Sequence, residues 1–372
     1  MEYKVPFVNY PAHYRSMEAE IDAAIKEVLS QGDLILRRHV REFEENMAAF
    51  LGVKHCVGVH CCTDALHLSL RAAGIGPGDE VITVAHTFVA TIGAIVHAGA
   101  TPVLVDVADD FNMDLDHLEV AVTPRTRAVI PVDFNGRVCD MEKIMAAAER
   151  HGLVVIEDSA QALGGMFDGK KAGSFGLSGC FSFYPAKLLG AAGDAGLVST
   201  NDAKFADTIR LLRDHGRKGK DELVFYGFNS RLDNLQAAIL NVKLKYVPGW
   251  IARRREIAER YFAGLEGVPG VVLPPRSGGR YFDVYQNFVL RVEGRDGLSN
   301  SLRDNGVEVI ISNPIPIHFQ KGLGLSHFRL PNTERFAREV ISIPNIPELS
   351  SEQIDYVIDS IRNHYMAGMG RK

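Results

Sequence analysis

Five short apolar runs recur through the first two-thirds of the chain, and segments with helical spacing lie between them. The runs are rich in β-branched residues and are bounded by turns, which is typical of strands buried on both faces. They are HCVGV (55–59), EVITV (80–84), TPVLV (101–105), RAVIPV (127–132) and LVVIED (153–158). Strands that alternate with helices predict an α/β fold with a mostly parallel sheet covered by helices. Functional side chains are then expected at the carboxyl ends of the strands.

The segments between these strands carry helical signals. In TDALHLSLRAAG (63–74), the apolar residues fall on one stripe, and Gly74 is placed to end the helix. Further helices are predicted to begin near Thr87 and Asp140. An amphipathic helix is also predicted over residues 16–30, and it could pack on either of two domains.

The pattern changes after about residue 240, which predicts a second, smaller α+β domain. The chain has 372 residues, too many for one ordinary core. We predict a large domain over residues 1–240 and a small domain over 241–372. The elements predicted around and beyond this division are a helix from Leu232 to about Leu265 that can break at Pro248-Gly249, a strand over 285–292, a helix after Asp296 and a final helix from Ser351.

Composition excludes several classes of protein. The formal net charge of −5 argues against a nucleic-acid protein that works by bulk charge. The start, MEYKVPFVNY, lacks the pattern of a signal peptide, and no apolar run reaches membrane-spanning length. The five cysteines have no spacing that suits a zinc site, so we expect no metal and reduced thiols in a cytoplasmic protein.

Two polar residues lie at or just after the carboxyl ends of predicted strands. Thr63 opens a helix after the strand at 55–59; its ordinary role is a helix cap, but free N–H groups at a helix start also bind phosphate. Asp158 ends a run of apolar residues, where a carboxylate must reach solvent or meet a positive partner. It could cap the next helix, or it could hold a cationic ring nitrogen.

Lys187 lies in the stretch FSFYPAKLLGAAGDAG (181–196), between a predicted apolar strand and a run of small residues. The residues before it are apolar except for the hydroxyl of Ser182. An isolated lysine is usually a solvated surface group. In a desolvated setting, however, its amine can lose the proton and become a nucleophile or form a Schiff base. The small residues after it fit a flexible loop, but they would also let a cofactor approach the backbone closely.

A fourth candidate segment is GFNSRLD (227–233), a polar turn that opens a helix and follows the basic cluster HGRKGK (215–220). Alone it is a capping turn beside a solvated loop, although the cluster could meet a phosphorylated substrate. Taken together, a phosphate site at a helix start, an aspartate at a strand end and a desolvated lysine are what a pyridoxal phosphate (PLP) enzyme requires.

The sequence resembles the DegT/DnrJ/EryC1/StrS family of sugar aminotransferases, which have PLP fold type I, the aspartate aminotransferase-like fold. The similarity extends over nearly the whole chain, and the order and spacing of five motifs make it specific. These motifs are CTDALHLSLRAAGIGPGDEVIT, VIEDSAQALGG, FSFYPAKLLGAAGDAG, GFNSRLDNLQAAIL and NPIPIHFQ.

The resemblance implies a role for each matched residue. Lys187 and Asp158 match the catalytic pair, the lysine that carries PLP and the acid that pairs with its pyridine nitrogen. The other matches are Cys62, Thr63 and Ser182 around the phosphate, Gln161 near the ring hydroxyl, Phe88 stacked on the ring, Asn229 reaching the phosphate of a neighbouring subunit, and His318 and Arg231 toward the substrate. The resemblance therefore also implies a homodimer with shared active sites.

Three positions depart from the family pattern. Cys62 stands where glycine usually precedes the phosphate-binding threonine, so its side chain could crowd the phosphate or point away. Asp133 replaces a common histidine, and Leu188 stands where a polar residue is common. These changes bear on the choice of donor and sugar more than on the cofactor.

The implied activity is the transfer of an amino group from L-glutamate to a keto sugar linked to a nucleoside diphosphate. A cyclitol aminotransferase would share every motif, and a non-catalytic regulatory protein on the same fold is a second alternative. A PLP-dependent sugar dehydratase is disfavoured, because that branch replaces the lysine with histidine, and Lys187 is intact. A dinucleotide-dependent oxidoreductase would need G-x-G-x-x-G after the first strand, which GVHCCTDA does not supply.

Overall fold

A computed structural model describes residues 3–369 of the chain. Its helices are Tyr10–Arg15 (α1), Glu18–Gln31 (α2), Arg38–Leu51 (α3), Cys62–Ala72 (α4), Val89–His97 (α5), Leu115–Ala121 (α6), Met141–His151 (α7), Ala203–Leu212 (α8), Asn234–Leu244 (α9), Val247–Leu265 (α10), Arg295–Asp304 (α11), Pro331–Glu339 (α12) and Ser351–Met369 (α13). Its strands are His55–Val59 (β1), Glu80–Val84 (β2), Thr101–Val105 (β3), Thr126–Val129 (β4), Val154–Asp158 (β5), Met166–Phe167 (β6), Lys170–Lys171 (β7), Ser178–Ser182 (β8), Gly196–Thr200 (β9), Arg217–Lys218 (β10), Glu222–Leu223 (β11), Val271–Val272 (β12), Tyr281–Phe282 (β13), Phe288–Val292 (β14) and Val340–Ile343 (β15).

A seven-stranded sheet in the order β1-β9-β8-β5-β4-β2-β3 forms the centre of the larger part of the molecule. The contacts from β8 to β3 are parallel, and β9 is the one strand of this sheet that runs against its neighbours. All five predicted strands are present, which confirms the α/β class, although β4 ends before residues 130–132. Strand β8 overlaps the apolar strand predicted before Lys187, whereas β9 was not predicted.

The sheet order brings polar strand ends to one edge. Asp158 is the last residue of β5, and Ser182 is the last residue of the adjacent parallel strand β8. Helix α4 begins three residues after β1, and α5 begins five residues after β2. Because carboxyl ends of parallel strands meet at the same edge, this topology gathers the predicted site residues there.

The C-terminal part contains a three-stranded antiparallel sheet, in the order β12-β14-β15, with a hydrophobic core of its own. Residues of α10, α11 and α13 cover this core, for example Phe262, Leu298 and Ile361. Val5 near the N-terminus also joins it and forms a parallel bridge with Val307. This arrangement agrees with the predicted α+β character.

The junction between the two parts is helical. The long helix predicted from Leu232 divides into α9 and α10 at residues 245–246, before rather than at Pro248-Gly249. Pro248 lies in the first turn of α10, where its missing N–H has no helical partner to lose. Helix α2 packs on α9 through a small apolar cluster. A division at residue 240 falls inside α9, and we retain the two domains as a proposal.

The length and hydropathy of the helices show whether any of them could span a membrane. Within residues 3–369, none of the helices combines the length and the apolar character that crossing a bilayer requires.

Candidate active site

A cavity of about 460 Å³ opens at the carboxyl edge of the large sheet. Its size suits a small-molecule site. It brings together residues that the sequence analysis placed on separate motifs: Cys62, Thr63, Phe88, Asp158, Gln161, Ser182 and Lys187. Their roles remain predictions, but the geometry required for a shared site is present.

Asp158 borders this cavity and is 6% exposed. Its Oδ2 accepts a hydrogen bond from Thr91 Oγ1 at 2.7 Å, and its Oδ1 accepts one from the Ala160 N–H at 3.3 Å. Burial raises the pKa of the carboxyl, while these hydrogen bonds and the Lys187 ammonium oppose that rise. The side chain is thus held in one orientation, as a group that pairs with a cation must be.

Lys187 follows β8 and lies half-buried in the cavity wall. Desolvation lowers the pKa of its amine, and the neighbouring Cys62 and Asp158 oppose that change. The side chain of Gln286 fixes the backbone on both sides of the lysine: its Oε1 accepts from Leu188 N at 2.7 Å, and its Nε2 donates to Ala186 O at 3.1 Å. The amine therefore extends from a rigid segment.

Two of the small residues after Lys187 are required by contacts within the protein itself. A Cβ on Gly190 would lie 2.2 Å from the carbonyl oxygen of Pro185, and a Cβ on Gly196 would lie 2.3 Å from the carbonyl carbon of Cys61. Both distances are too short for a side chain. The close approach at these two glycines is thus between backbone segments of the protein, and the expectation that the small residues make room for a cofactor stays a prediction.

Helix α4 starts at the cavity wall with its first N–H groups available. Cys61 stands at the N-cap position, and in the described part of the chain no side chain caps the helix. Cys61, Cys62 and Thr63 all border the cavity, and so does Ser182. Cys62 is also 8% exposed and packs in the core of the sheet. An uncapped helix start beside two hydroxyls offers donors to an anion.

Gln161 and Phe88 occupy the remaining walls. Gln161 Oε1 accepts a hydrogen bond from the Asn135 N–H at 2.7 Å, which fixes its amide. Phe88 stands at the N-cap of α5 and is 70% exposed, so its ring is available to a flat ligand.

Asp133, which stands where the family commonly has a histidine, is fully buried. Its carboxylate oxygens accept hydrogen bonds from Cys139 N and Ser159 Oγ, and burial raises its pKa to about 7.

Three predicted residues do not border the cavity. Asn229 is exposed, beside the point where Ser230 Oγ donates to Asp64 of α4. Arg231 pairs with Asp214 at 3.2 Å. His318 is fully buried; its Nε2 lies 3.4 Å from Glu334 Oε1, and burial lowers its pKa. Within this one chain, these three side chains therefore lie apart from the cavity that the other seven predicted site residues border.

Several cavity residues were missed by sequence reasoning. The cavity is also bordered by four residues to which the sequence analysis gave no role: Thr87, Thr91, Tyr184 and Asp194. The i, i+4 spacing of the two threonines at the start of a predicted helix was the available signal. Gln286 lies 98 residues from the Leu188 amide that it binds, so local patterns gave no indication of it.

The residues present fit PLP. A buried carboxylate, a desolvated lysine and an uncapped helix start border a single cavity. These are the groups that would meet a pyridine nitrogen, an aldehyde carbon and a phosphate, respectively.

The family assignment comes from comparison with known proteins. Residues 15–362 match the sequence profile of the DegT/DnrJ/EryC1/StrS aminotransferase family. The chain belongs to that family. It is 43% identical to a "Pleiotropic regulatory protein" of Geobacillus stearothermophilus over 97% of this chain and 98% of the relative. It is 41% identical to the dTDP-3-amino-3,4,6-trideoxy-alpha-D-glucose transaminase of Streptomyces venezuelae, over 96% of each.

A solved structure extends this likeness to three dimensions. The crystal structure of S. venezuelae DesV in complex with a ketimine intermediate superposes with a TM-score of 0.94 at 40% identity, and the match covers 98% of each chain. The predicted fold class, that of the PLP-dependent aminotransferases, is thereby confirmed. The prediction of an aminotransferase from the sugar-aminotransferase family is confirmed as well.

Proposed function

We propose that the protein is a PLP-dependent aminotransferase that moves an amino group from L-glutamate to a keto sugar linked to a nucleoside diphosphate. The observation that carries this proposal is the single cavity that holds Lys187 and Asp158 beside the uncapped start of α4. Relatives named as nucleotide-sugar transaminases at about 40% identity support the acceptor class.

Each residue has a task in this reaction. PLP, when bound, supplies a sink for the electrons that remain when the donor loses its α-proton. Lys187 would hold PLP through Nζ. Its free amine would take the proton from the donor's α-carbon and, in the second half-reaction, the same group would deliver a proton to the sugar carbon that receives the amino group. The lowered pKa of this amine favours the neutral form that a base requires. The Asp158 carboxylate would keep the ring nitrogen protonated, and Thr63, Ser182 and the N–H groups of α4 would bind the phosphate.

A homodimer with shared active sites is part of the proposal. Among the described residues that border the cavity, Lys187 is the single lysine, arginine or histidine, whereas both substrates and PLP carry anionic groups. Further cations must then come from outside this wall. The hairpin β10–β11 is exposed, with both basic and apolar side chains, and Asn229 follows it. A partner subunit could bring this segment to the cavity.

Mixed dimers would test the sharing of sites. Lys187→Ala and Asn229→Ala subunits, each impaired alone, are coexpressed with different tags, and the mixed species is purified. If Asn229 acts in the partner's cavity, the mixed dimer contains one wild-type site, so we expect about half the wild-type activity. If both residues act within one chain, both sites of the mixed dimer carry a defect and activity stays at the level of the impaired homodimers.

Two other functions follow from the same comparisons and motifs. The name of the Geobacillus relative is a reason to keep a regulatory protein as the second candidate, although an intact Lys187 and Asp158 favour catalysis. A cyclitol acceptor would use the same donor chemistry.

The state of the cysteines supports a proposal on location. Since all five cysteines are free, we also propose that the enzyme works in the cytoplasm, where thiols stay reduced.

Visible absorption spectroscopy tests the proposal. The purified protein should acquire a visible band when PLP is added, lose it with L-glutamate, and regain it when the correct nucleotide-linked keto sugar is supplied. A keto-cyclitol that restores the band while every keto sugar fails would change the acceptor class. A band that ignores L-glutamate and other amines would favour the regulatory function, and a folded protein with no band would contradict the PLP assignment.

A further inference from the structure

Two buried hydroxyls form a chain that ends on Asp158. Thr91 Oγ1 donates to Asp158 Oδ2 at 2.7 Å, and Thr87 Oγ1 lies 2.8 Å from Thr91 Oγ1. Thr91 is 0% exposed and Thr87 is 2% exposed, yet both border the active-site cavity. Their hydroxyls therefore have little access to bulk solvent and depend on each other for hydrogen bonds.

The chemistry of a hydroxyl fixes the direction of this chain. An ionised carboxylate can only accept hydrogen bonds, and a hydroxyl has a single proton to donate. The Thr91 proton is thus used on Asp158, and Thr87 must be the donor in the contact between the threonines. Successive hydrogen bonds of one direction polarise each other, which makes Thr91 a stronger donor to the carboxylate.

The start of the chain is tied to the C-terminal part of the molecule. Asn313 Nδ2 donates to the main-chain oxygen of Thr87 at 2.7 Å. The segment that contains Asn313 also borders a second cavity, of about 500 Å³, which shares Phe88 with the active site. The Asn313 contact fixes the backbone from which the Thr87 hydroxyl extends.

We propose that Thr91 is a positioning residue that keeps Asp158 ionised and aimed at the cofactor's ring nitrogen, with Thr87 as the donor that supports it. The part of this inference that concerns the ring nitrogen rests on the proposed PLP function. The part that concerns Asp158 itself does not, since it follows from contacts within the protein.

Electrostatics explain why such a donor is needed. Burial raises the pKa of Asp158, and the hydrogen bond from Thr91 is the largest opposing effect. Among the described residues, the other groups that face Asp158 are Lys187, which is the single cation, the Cys62 and Cys180 thiols, and Asp133. The thiols stay neutral because burial raises their pKa, and an ionised Asp133 would add repulsion. Without the Thr91 proton, Asp158 would become neutral at a higher pH.

Thr91→Val tests the proposal, because it removes the hydroxyl and keeps the branched shape. PLP affinity is measured by absorption titration from mildly acidic to mildly alkaline pH. We expect Thr91→Val to bind PLP more weakly than the wild type at acidic pH, by roughly tenfold for each unit by which the Asp158 pKa rises. The difference should close as the pH rises and Asp158 ionises. Thr91→Ser, which keeps the hydroxyl, should follow the wild type.

Thr83→Val is the matched control. Thr83 is also 0% exposed and donates its hydroxyl, to Ile130 O at 2.9 Å, but it does not border the cavity. It should lose stability without any change in the pH profile of PLP binding. A Thr91→Val profile that parallels the wild type, or a Thr83→Val profile that shifts in the same way, would overturn the proposal.

Infrared spectroscopy of the protein without PLP separates this inference from the proposed function. At a mildly acidic pH, buried Asp133 contributes a protonated-carboxyl signal in every variant, because burial raises its pKa to about 7. Thr91→Val should show an additional protonated-carboxyl band that the wild type lacks, and the Thr91→Val/Asp158→Asn double variant should not show this additional band. If that band appears while PLP fails to bind the wild type, the PLP function is wrong and the role of Thr91 toward Asp158 stands. If the band is absent, the role of Thr91 is wrong whatever the cofactor.

Discussion

Lys187→Ala is expected to abolish transamination by L-glutamate, because one amine both holds the cofactor and moves the α-proton. Removing a catalytic nucleophile costs roughly 10⁶-fold in turnover in well-studied enzymes. The visible band should also change, since PLP in the variant can be held only by non-covalent contacts. Steady-state assays and absorption spectra measure the two effects separately.

The fold should survive this substitution. The backbone around Lys187 is held by Gln286 through the amide of Leu188 and the carbonyl of Ala186, and alanine leaves both contacts in place. Its thermal unfolding without PLP should therefore lie close to that of the wild type. A Lys187→Ala variant that turns over normally would remove this residue from the mechanism.

Lys243 provides a matched control for the loss of a desolvated lysine. Burial lowers its pKa to about 8, and its Nζ donates to the Gly190 carbonyl, but it does not border the cavity. Lys243→Met should lower stability by about 1 kcal/mol, the net value of one hydrogen bond, while the PLP band and its response to glutamate persist. If this variant loses the band as well, the spectral change would no longer be specific to Lys187.

The strands that could be predicted from the sequence are those whose composition reflects burial on both faces of the sheet. Strands β1 to β5 are mainly continuous β-branched and apolar runs, because helices cover both faces of a parallel sheet. Strand β9 was missed because GLVST mixes small and polar residues with apolar ones. Gly196 in β9 is required by the approach of the Cys61 backbone, a contact that no local pattern encodes.

The common location of several predicted site residues could be inferred from the sequence, whereas their roles stay predictions. Lys187, Asp158 and Thr63 each follow a strand that can be read from the sequence, so the parallel topology brings them to the same edge. Gln286 and Thr91 could not be found in this way. Each acts across a long separation in the chain, and only the folded structure shows which amide or carboxylate it meets. The positions of Asn229 and His318 outside the cavity likewise depend on tertiary packing.

Asp158→Asn is expected to slow the donor half-reaction by roughly 10² to 10³-fold, the scale of losing one preorganised electrostatic contact. An amide has the size of the carboxylate but no charge, so it cannot hold a proton on the ring nitrogen. The electrons left by the α-proton would then meet a neutral ring. Single-turnover loss of the visible band with L-glutamate measures this step without any knowledge of the acceptor.

Asp106→Asn distinguishes that effect from the loss of any buried acid at this edge of the sheet. Asp106 directly follows β3 and is 0% exposed, and it accepts hydrogen bonds from the Asn332 and Thr333 N–H groups, outside the cavity. Its replacement should reduce stability and leave the single-turnover rate close to the wild-type value. If Asp158→Asn reacted with glutamate as fast as Asp106→Asn, the charge on Asp158 would have no part in catalysis. The hydroxyl chain through Thr91 would then support only the local structure of the cavity.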